Sequence, residues 1–183
     1  MKKSKEIISD KIAVVNQILP HVNKWAWDLF IDGAANNWMP TEVSMAKDID
    51  QWKSDLLSND EKLVVKRCLG FFAGSESLVA NNLLLSVFKF VTDAECRQYI
   101  LRQAYEESLH NLTVVYCCDS LNLKIGEVYQ AYNSIESIKA KDDFLMNITT
   151  DINRPDFNIN TLEGKREFLR NIITFYIICE GIF

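Results

Sequence analysis

Four side chains in this 183-residue sequence are of types that hold hard metal ions, and their spacing decides what they can do together. Glu107-Ser108-Leu109-His110 sets a carboxylate and an imidazole three residues apart. On a helix such residues project to one side, so both can reach a single cation. Glu-x-x-His is also the ligand unit of carboxylate-bridged dimetal helix bundles. Glu106 reaches His110 across one helical turn, so a surface ion pair competes with that reading; the apolar Leu109, Val114, Val115 and Cys117 favour a buried helix. Glu76 shares a helical stripe with Phe72, Val79 and Leu83, which makes it a carboxylate among core side chains. An unpaired buried carboxylate is costly, so Glu76 is either satisfied at the edge of the core or bound to a cation. Glu180 lies within Phe175-Tyr176-Ile177-Ile178-Cys179-Glu180-Gly181-Ile182-Phe183, a run with no polar helical face. It needs a buried cationic partner or a metal, and the scarcity of basic residues nearby favours the metal.

Carboxylate oxygens together with imidazole suit iron or manganese. A bundle site of this kind takes one Glu from each of two helices and a Glu-x-x-His from each of two more. The sequence supplies Glu76, Glu180 and one Glu-x-x-His. His21, the other histidine, has Ile18 three residues before it and reads as a surface or capping residue. The encoded site is therefore one helix short.

The elements that must position these residues are read from apolar spacing and caps. Ile7, Ile8, Ile12, Val15 and Ile18 have helical spacing over 6–19, ending at Pro20. A Trp-rich stretch runs from Trp25 to Trp38, Pro40 breaks the chain, 41–47 is irregular, and 48–57 reads as a short helix. Ser58 with Glu61 has the form of a capping box, opening a long helix to about Phe90; Thr92 with Glu95 repeats it for a second long helix to about Leu121. Two shorter helices follow over 124–140 and 142–151, then a loop over 153–160 containing Pro155. Thr161 starts a last helix that is still running at Phe183. No segment alternates with period two, so the expected fold is all-α.

Composition narrows the function. Twenty basic against 25 acidic residues leave a net charge of −5, which argues against a nucleic-acid backbone as partner. No apolar run approaches the roughly 20 residues that span a bilayer, so no membrane partner is expected. Cys68, Cys96, Cys117, Cys118 and Cys179 form no C-x-x-C pair and read as buried reduced thiols, as in a cytoplasmic protein.

Taken together, four ordered segments resemble the small (β) subunit of class I ribonucleotide reductase. They are Asn36-Asn37-Trp38-Met39-Pro40-Thr41-Glu42, Gly70-Phe71-Phe72 leading to Glu76-Ser77-Leu78-Val79, Arg102-Gln103-Ala104-Tyr105-Glu106-Glu107 leading to His110, and Tyr176 through Phe183. The resemblance extends from about Trp25 to the end. It implies a single ferritin-like domain over 1–183, a homodimer, and a dimetal site that activates dioxygen. The oxidant made there is passed to a large (α) subunit, which reduces ribonucleotides to deoxyribonucleotides. It further implies that Glu76, Glu107 and His110 hold one metal with Glu107 bridging, that Glu180 holds the second, and that Trp38 relays electrons.

Two departures qualify that picture. The family's radical-bearing tyrosine falls at Val114, which cannot form a stable radical. This resembles the subgroup that stores the oxidising equivalent in a manganese–iron pair, which is favoured over two irons; Tyr105 and Tyr116 on the same helix face elsewhere, and a plain core valine in an inactive relative is the alternative. The second Glu-x-x-His and the docking tail lie beyond Phe183 in the family, so a fragment or incomplete gene is expected. Two other readings stay open. One is a ferritin-like ligand-binding oxidase, for which Val79 fits but Phe175 stands where its cross-linking tyrosine belongs. The other is an inactive, metal-free helical remnant.

Overall fold

Ser58 and Glu61 open the first long helix as their spacing predicts. The Ser58 N–H and hydroxyl both donate to Glu61 Oε2 at 2.8 Å, and the Glu61 N–H donates back to Ser58 Oγ at 3.3 Å. The Ser58 backbone bond, joined by its hydroxyl, holds the Glu61 carboxyl below its usual range. The structure, a computed structural model, describes residues 6–11 and 14–182. Among these the elements are α1 (Lys24–Ala35), a 3-10 turn (Pro40–Glu42), α2 (Ala46–Lys53), α3 (Asn59–Asn81), α4 (Ala94–Ser120), α5 (Ile125–Tyr129), α6 (Ala131–Ser134), α7 (Glu136–Asp151) and α8 (Leu162–Ile173). Two π-helical segments continue α3 and α8, over Asn82–Val87 and Thr174–Cys179. Their wider turns show in the Phe88 N–H to Leu83 carbonyl bond at 2.8 Å and the Glu180 N–H to Phe175 carbonyl bond at 3.0 Å.

Several boundaries differ from the expectation, each for a local reason. The described part of 6–19 is not helical. The Ser9 N–H donates to the Phe90 carbonyl and the Thr92 N–H to the Ile7 carbonyl, so this backbone pairs with the α3–α4 connection. Residues 12 and 13 lie outside the described residues. The N-cap of α4 is Asp93, whose Oδ1 accepts the Cys96 N–H at 2.9 Å. Thr92 instead turns its hydroxyl to the Ile7 carbonyl at 3.4 Å, and Glu95 accepts the Val22 N–H at 2.8 Å. The break expected near 141 falls at Ile135, whose extended backbone ends α6. Thr161 does cap α8, accepting the Gly164 N–H at 3.0 Å. Of the five thiols expected to be buried, only Cys96 and Cys118 are; Cys117 and Cys179 are half-buried, and Cys68 is exposed on α3.

The α4 C-terminus closes in a Schellman motif. Asn122, at φ 52°, takes the left-handed position that Asn tolerates. The Leu123 N–H reaches the Cys118 carbonyl at 2.8 Å and the Asn122 N–H reaches the Asp119 carbonyl at 3.2 Å. Leu123 then packs against the cluster that holds Cys118.

The chain divides into two compact units. One comprises Met1–Asn37, Val79–Tyr105 and Leu145–Phe183. Its interior holds Leu83, Phe168 and Phe175, with the Phe90 ring against those of Phe157 and Phe168. Buried among them, Asn82 and Asn171 exchange two amide hydrogen bonds of 3.0 Å. The other unit comprises Trp38–Leu78 and Glu106–Phe144. Its core is Ala73, Val114, Cys118 and Val128, flanked by Leu69, Leu123 and Tyr129. Phe72 is 44% exposed, so the buried stripe of α3 in this unit runs through Ala73 instead.

By length and composition the continuous helix Asn59–Val87 is apolar enough to cross a membrane, which the run-length reading of the sequence did not raise. Its polar side chains are nonetheless used within the protein: Asn82 pairs with Asn171, and Glu76 with His110.

Gly70 sets how closely α3 meets α5 and α6. A Cβ there would stand 2.4 Å from the Ala131 Cβ and 2.9 Å from the Val128 carbonyl oxygen. Gly70→Ala is therefore expected to destabilise by about 1–3 kcal/mol through overpacking. Gly126→Ala, where a Cβ meets nothing within 4 Å, should be neutral or slightly stabilising. Thermal unfolding of both variants checks this; a Gly70→Ala melting temperature equal to that of the parent would contradict the close approach.

Candidate metal centre

Glu76 on α3 and Glu107 and His110 on α4 come together. One ligand atom from each lies within 4.8 Å of the others, the one such three-residue grouping among the described residues. His110 Nδ1 stands 3.0 Å from Glu76 Oε2 and 3.1 Å from Glu107 Oε2. Helical geometry accounts for the second distance, since Glu107 and His110 are one turn apart on one face. The first depends on packing. Ala73, one turn before Glu76, and Val114, one turn after His110, belong to the same buried cluster, which fixes the two helices where the donors meet. Glu107 is buried, its side chain only 3% exposed, and the Glu76 side chain is 18% exposed.

Two carboxylates this close, in a half-buried place, demand a positive charge. In the metal-free chain the imidazole supplies it. The hydrogen bond to Glu107, then that to Glu76, outweigh burial and push His110 up to about 10. Burial alone would raise the Glu76 carboxyl. The bond to His110, with the charges of His110 and Lys141, brings it below its ordinary value instead. The donor set fits a metal ion: two hard carboxylates and one imidazole, already compensated by a proton that a cation would replace.

Trp38 stands beside this group. Its Nε1–H donates to Glu106 Oε1, and its ring centroid lies 6.1 Å from that of His110. Glu106 thus turns to Trp38, not to His110 as the surface-pair reading has it. Val114, 4% exposed, is a core residue. Tyr105 is exposed beside the Arg102 guanidinium, and the Tyr116 hydroxyl donates to the Val43 carbonyl at 2.8 Å, so neither phenol points at the cluster.

Glu180 follows the second π-helical segment, and its side chain is exposed, not enclosed as its apolar run implies. The chain turns at 180–182. Glu180 is not one of the three grouped donors. His21 is half-buried, and it caps no helix: its Nδ1 lies 3.5 Å from the fully buried Glu95, and its ring packs on Trp27. Sequence reading also passed over Lys141 and Asp142, a buried charged pair of α7. The available signal was their place on the stripe between the buried Ile138 and Leu145.

Comparison with known proteins decides the family. The model of the ribonucleotide reductase small chain matches residues 15–183. The chain belongs to that family. It is 53% identical over 169 residues to the ribonucleoside-diphosphate reductase subunit beta of Chlamydia pneumoniae, covering 92% of this chain and 49% of that protein. It is 30% identical to the small chain from Swinepox virus, covering 86% of this chain and 53% of the other. Among solved structures, the R2 subunit from Clostridium botulinum superimposes with a TM-score of 0.78 at 22% identity, over 94% of this chain and 52% of that one. A putative class I ribonucleotide reductase from Bacillus halodurans gives 0.74 at 21% identity, over 87% and 54%. The fold is therefore the all-α, ferritin-like fold of these subunits, and the chain spans about half the length of the curated relatives it matches.

The proton shared by the cluster predicts a pH dependence. His110 gains stability from its carboxylate partners only while protonated. That contribution is fully present below the ordinary imidazole value of 6.5 and is lost as pH rises through about 10. Thermal unfolding of the metal-free chain from pH 6 upward should show this decline, and His110→Gln should flatten it. An unchanged profile in the variant would remove the imidazolium from the account.

Proposed function

We propose that the protein acts as the small subunit of a class I ribonucleoside-diphosphate reductase, an oxidoreductase in which a dimetal site generates the oxidant used by a large subunit to reduce ribonucleotides. What supports the reading is the convergence of Glu76, Glu107 and His110 in a chain belonging to the small-chain family. In this reading Glu76, Glu107 and His110 would hold one metal, and Glu180, with Glu107, would help to hold a second. The two metals, when bound, supply dioxygen activation and the stored oxidising equivalent.

The chain's own residues do the rest. His110 gives up the Nδ1 proton that compensates the carboxylates in the metal-free state. Glu107, enclosed and acidic, retains the ion through charge. Trp38 relays electrons, and its Nε1–H faces Glu106, a carboxylate able to hold the indole proton when the ring is oxidised. Val114 offers no phenol, so a manganese–iron pair is favoured over two irons as the store. The partners in this reading are the large subunit and a second copy of the chain, in the cytoplasm, as one ferritin-like domain whose helices α3 and α4 each contribute to both units. The net charge of −5 fits a protein without nucleic-acid partners.

Metal loading tests the reading. The chain described here should bind metal weakly and below two equivalents, because it carries four of the six ligands such a site uses. A longer form carrying a further Glu-x-x-His should bind two. Equal, full occupancy of two metals in both forms would refute the ligand assignment.

Electron paramagnetic resonance after exposure to dioxygen tests the store. No stable tyrosyl radical is expected, and activity with the large subunit should require both manganese and iron. A tyrosyl radical in the unmodified protein, or full activity with iron alone, would overturn the manganese–iron assignment.

A further inference from the structure

Lys141 of α7 is a buried cation whose charge reaches Glu76 but which is not one of the three grouped donors. Its side chain is 7% exposed, and that of the adjoining Asp142 is 4% exposed, with 3.2 Å between Nζ and Oδ1. The ammonium donates to Ser75 Oγ and approaches the Phe71 carbonyl at 3.5 Å. It also lies 3.6 Å from the Phe71 ring centroid. Ser75 Oγ in turn donates to the Phe71 carbonyl at 2.8 Å. One α7 side chain is thus inserted into a single turn of α3, residues 71–75, and that turn ends at the residue before Glu76.

An ion pair of this kind is a poor device for stability alone. Desolvation offsets most of its attraction, and apolar replacements of similar volume are often neutral or stabilising. Its geometric effect is more particular. A hydroxyl bonded back to the carbonyl four residues earlier bends a helix locally, and here the ammonium fixes which rotamer that hydroxyl takes. That turn lies directly before the carboxylate that meets His110 and Glu107.

We propose that Lys141 is a positioning residue for the Glu76–Glu107–His110 site: its ammonium clamps the Phe71–Ser75 turn of α3 and thereby sets where Glu76 meets the other two donors. Its role toward a metal rests on reading that cluster as a metal site; its role toward the metal-free cluster does not.

The test compares Lys141→Met, which keeps the length and removes the charge, with Ser75→Ala, which removes only the hydroxyl link. Lys139→Met, at an exposed position of the same helix, is the control. Each is read in two ways: Mn2+ binding by titration, and the His110 ring resonances of the metal-free protein by NMR. Lys141→Met and Ser75→Ala should keep the parent's helix content, bind Mn2+ about 10–100-fold more weakly, and shift the His110 resonances. Lys139→Met should change neither. Should Lys141→Met fail to fold, Ser75→Ala carries the same comparison.

Parent-like Mn2+ affinity and unmoved His110 resonances in the two clamp variants would overturn the proposal. A parent that binds no Mn2+, with His110 still shifted in Lys141→Met, would count against the metal reading and leave the clamp standing.

Discussion

Two carboxylates sharing one imidazole require a positive charge between them, and much of the unit holding Trp38–Leu78 and Glu106–Phe144 is arranged around that requirement. Each donor reaches the others through backbone placement. Glu107 and His110 need only helical spacing. Glu76 needs α3 beside α4 in one register, which apolar burial provides through Ala73, Val114, Cys118 and Val128. Gly70 adds a tight contact between α3 and the Val128–Ala131 segment, so the platform beneath the donors is closely packed. In such a place the imidazolium and a metal ion are alternatives. Both answer the same electrostatic demand.

The sequence carried some of this openly and hid the rest. Glu107 and His110 were legible because their relation is local, fixed by the pitch of one helix. The Ser58 and Thr161 caps were legible for the same reason, and Asn122 marks the end of α4 by a backbone conformation few residues tolerate. The failures share a cause, a long-range partner taking precedence over a local pattern. Ile7 and Ile8 have helical spacing, but the backbone around them pairs with residues 90 and 92. Thr92 could cap α4, yet its N–H and hydroxyl both go to Ile7, and Asp93 takes the cap. Glu106 could reach His110, but the indole of Trp38 claims it. Lys141 gave no local sign of Ser75, 66 positions away.

The two π-helical segments show how buried polar groups are accommodated in an otherwise apolar helix. Asn82 begins the first, and Asn171 lies three residues before the second. Their side chains form a closed pair, each amide donating to the other's oxygen, and Asn171 also approaches the Ile148 carbonyl at 3.3 Å. A buried amide left without such partners would cost about 1–3 kcal/mol. The pair therefore locks the rotation of each segment about its axis, because either one turned by a residue would strand both amides. The polar groups of a helix apolar enough to pass for a membrane span on composition thus have partners at fixed positions in the protein.

Val114 closes the core beside the site. It is buried in the same cluster as Ala73, Cys118 and Val128, one turn from His110. A tyrosine in its place would add a ring and a hydroxyl to a core already closed, at about 1–3 kcal/mol of overpacking and with a phenol seeking a partner. The valine is therefore a packing residue of this core. A saturated alkyl wall has two effects on the neighbouring donors. It keeps water from that side, which strengthens every charge interaction within the cluster. It also offers no side chain that gives up an electron readily. Trp38, with its indole against His110 and its N–H on Glu106, is an aromatic side chain beside this cluster.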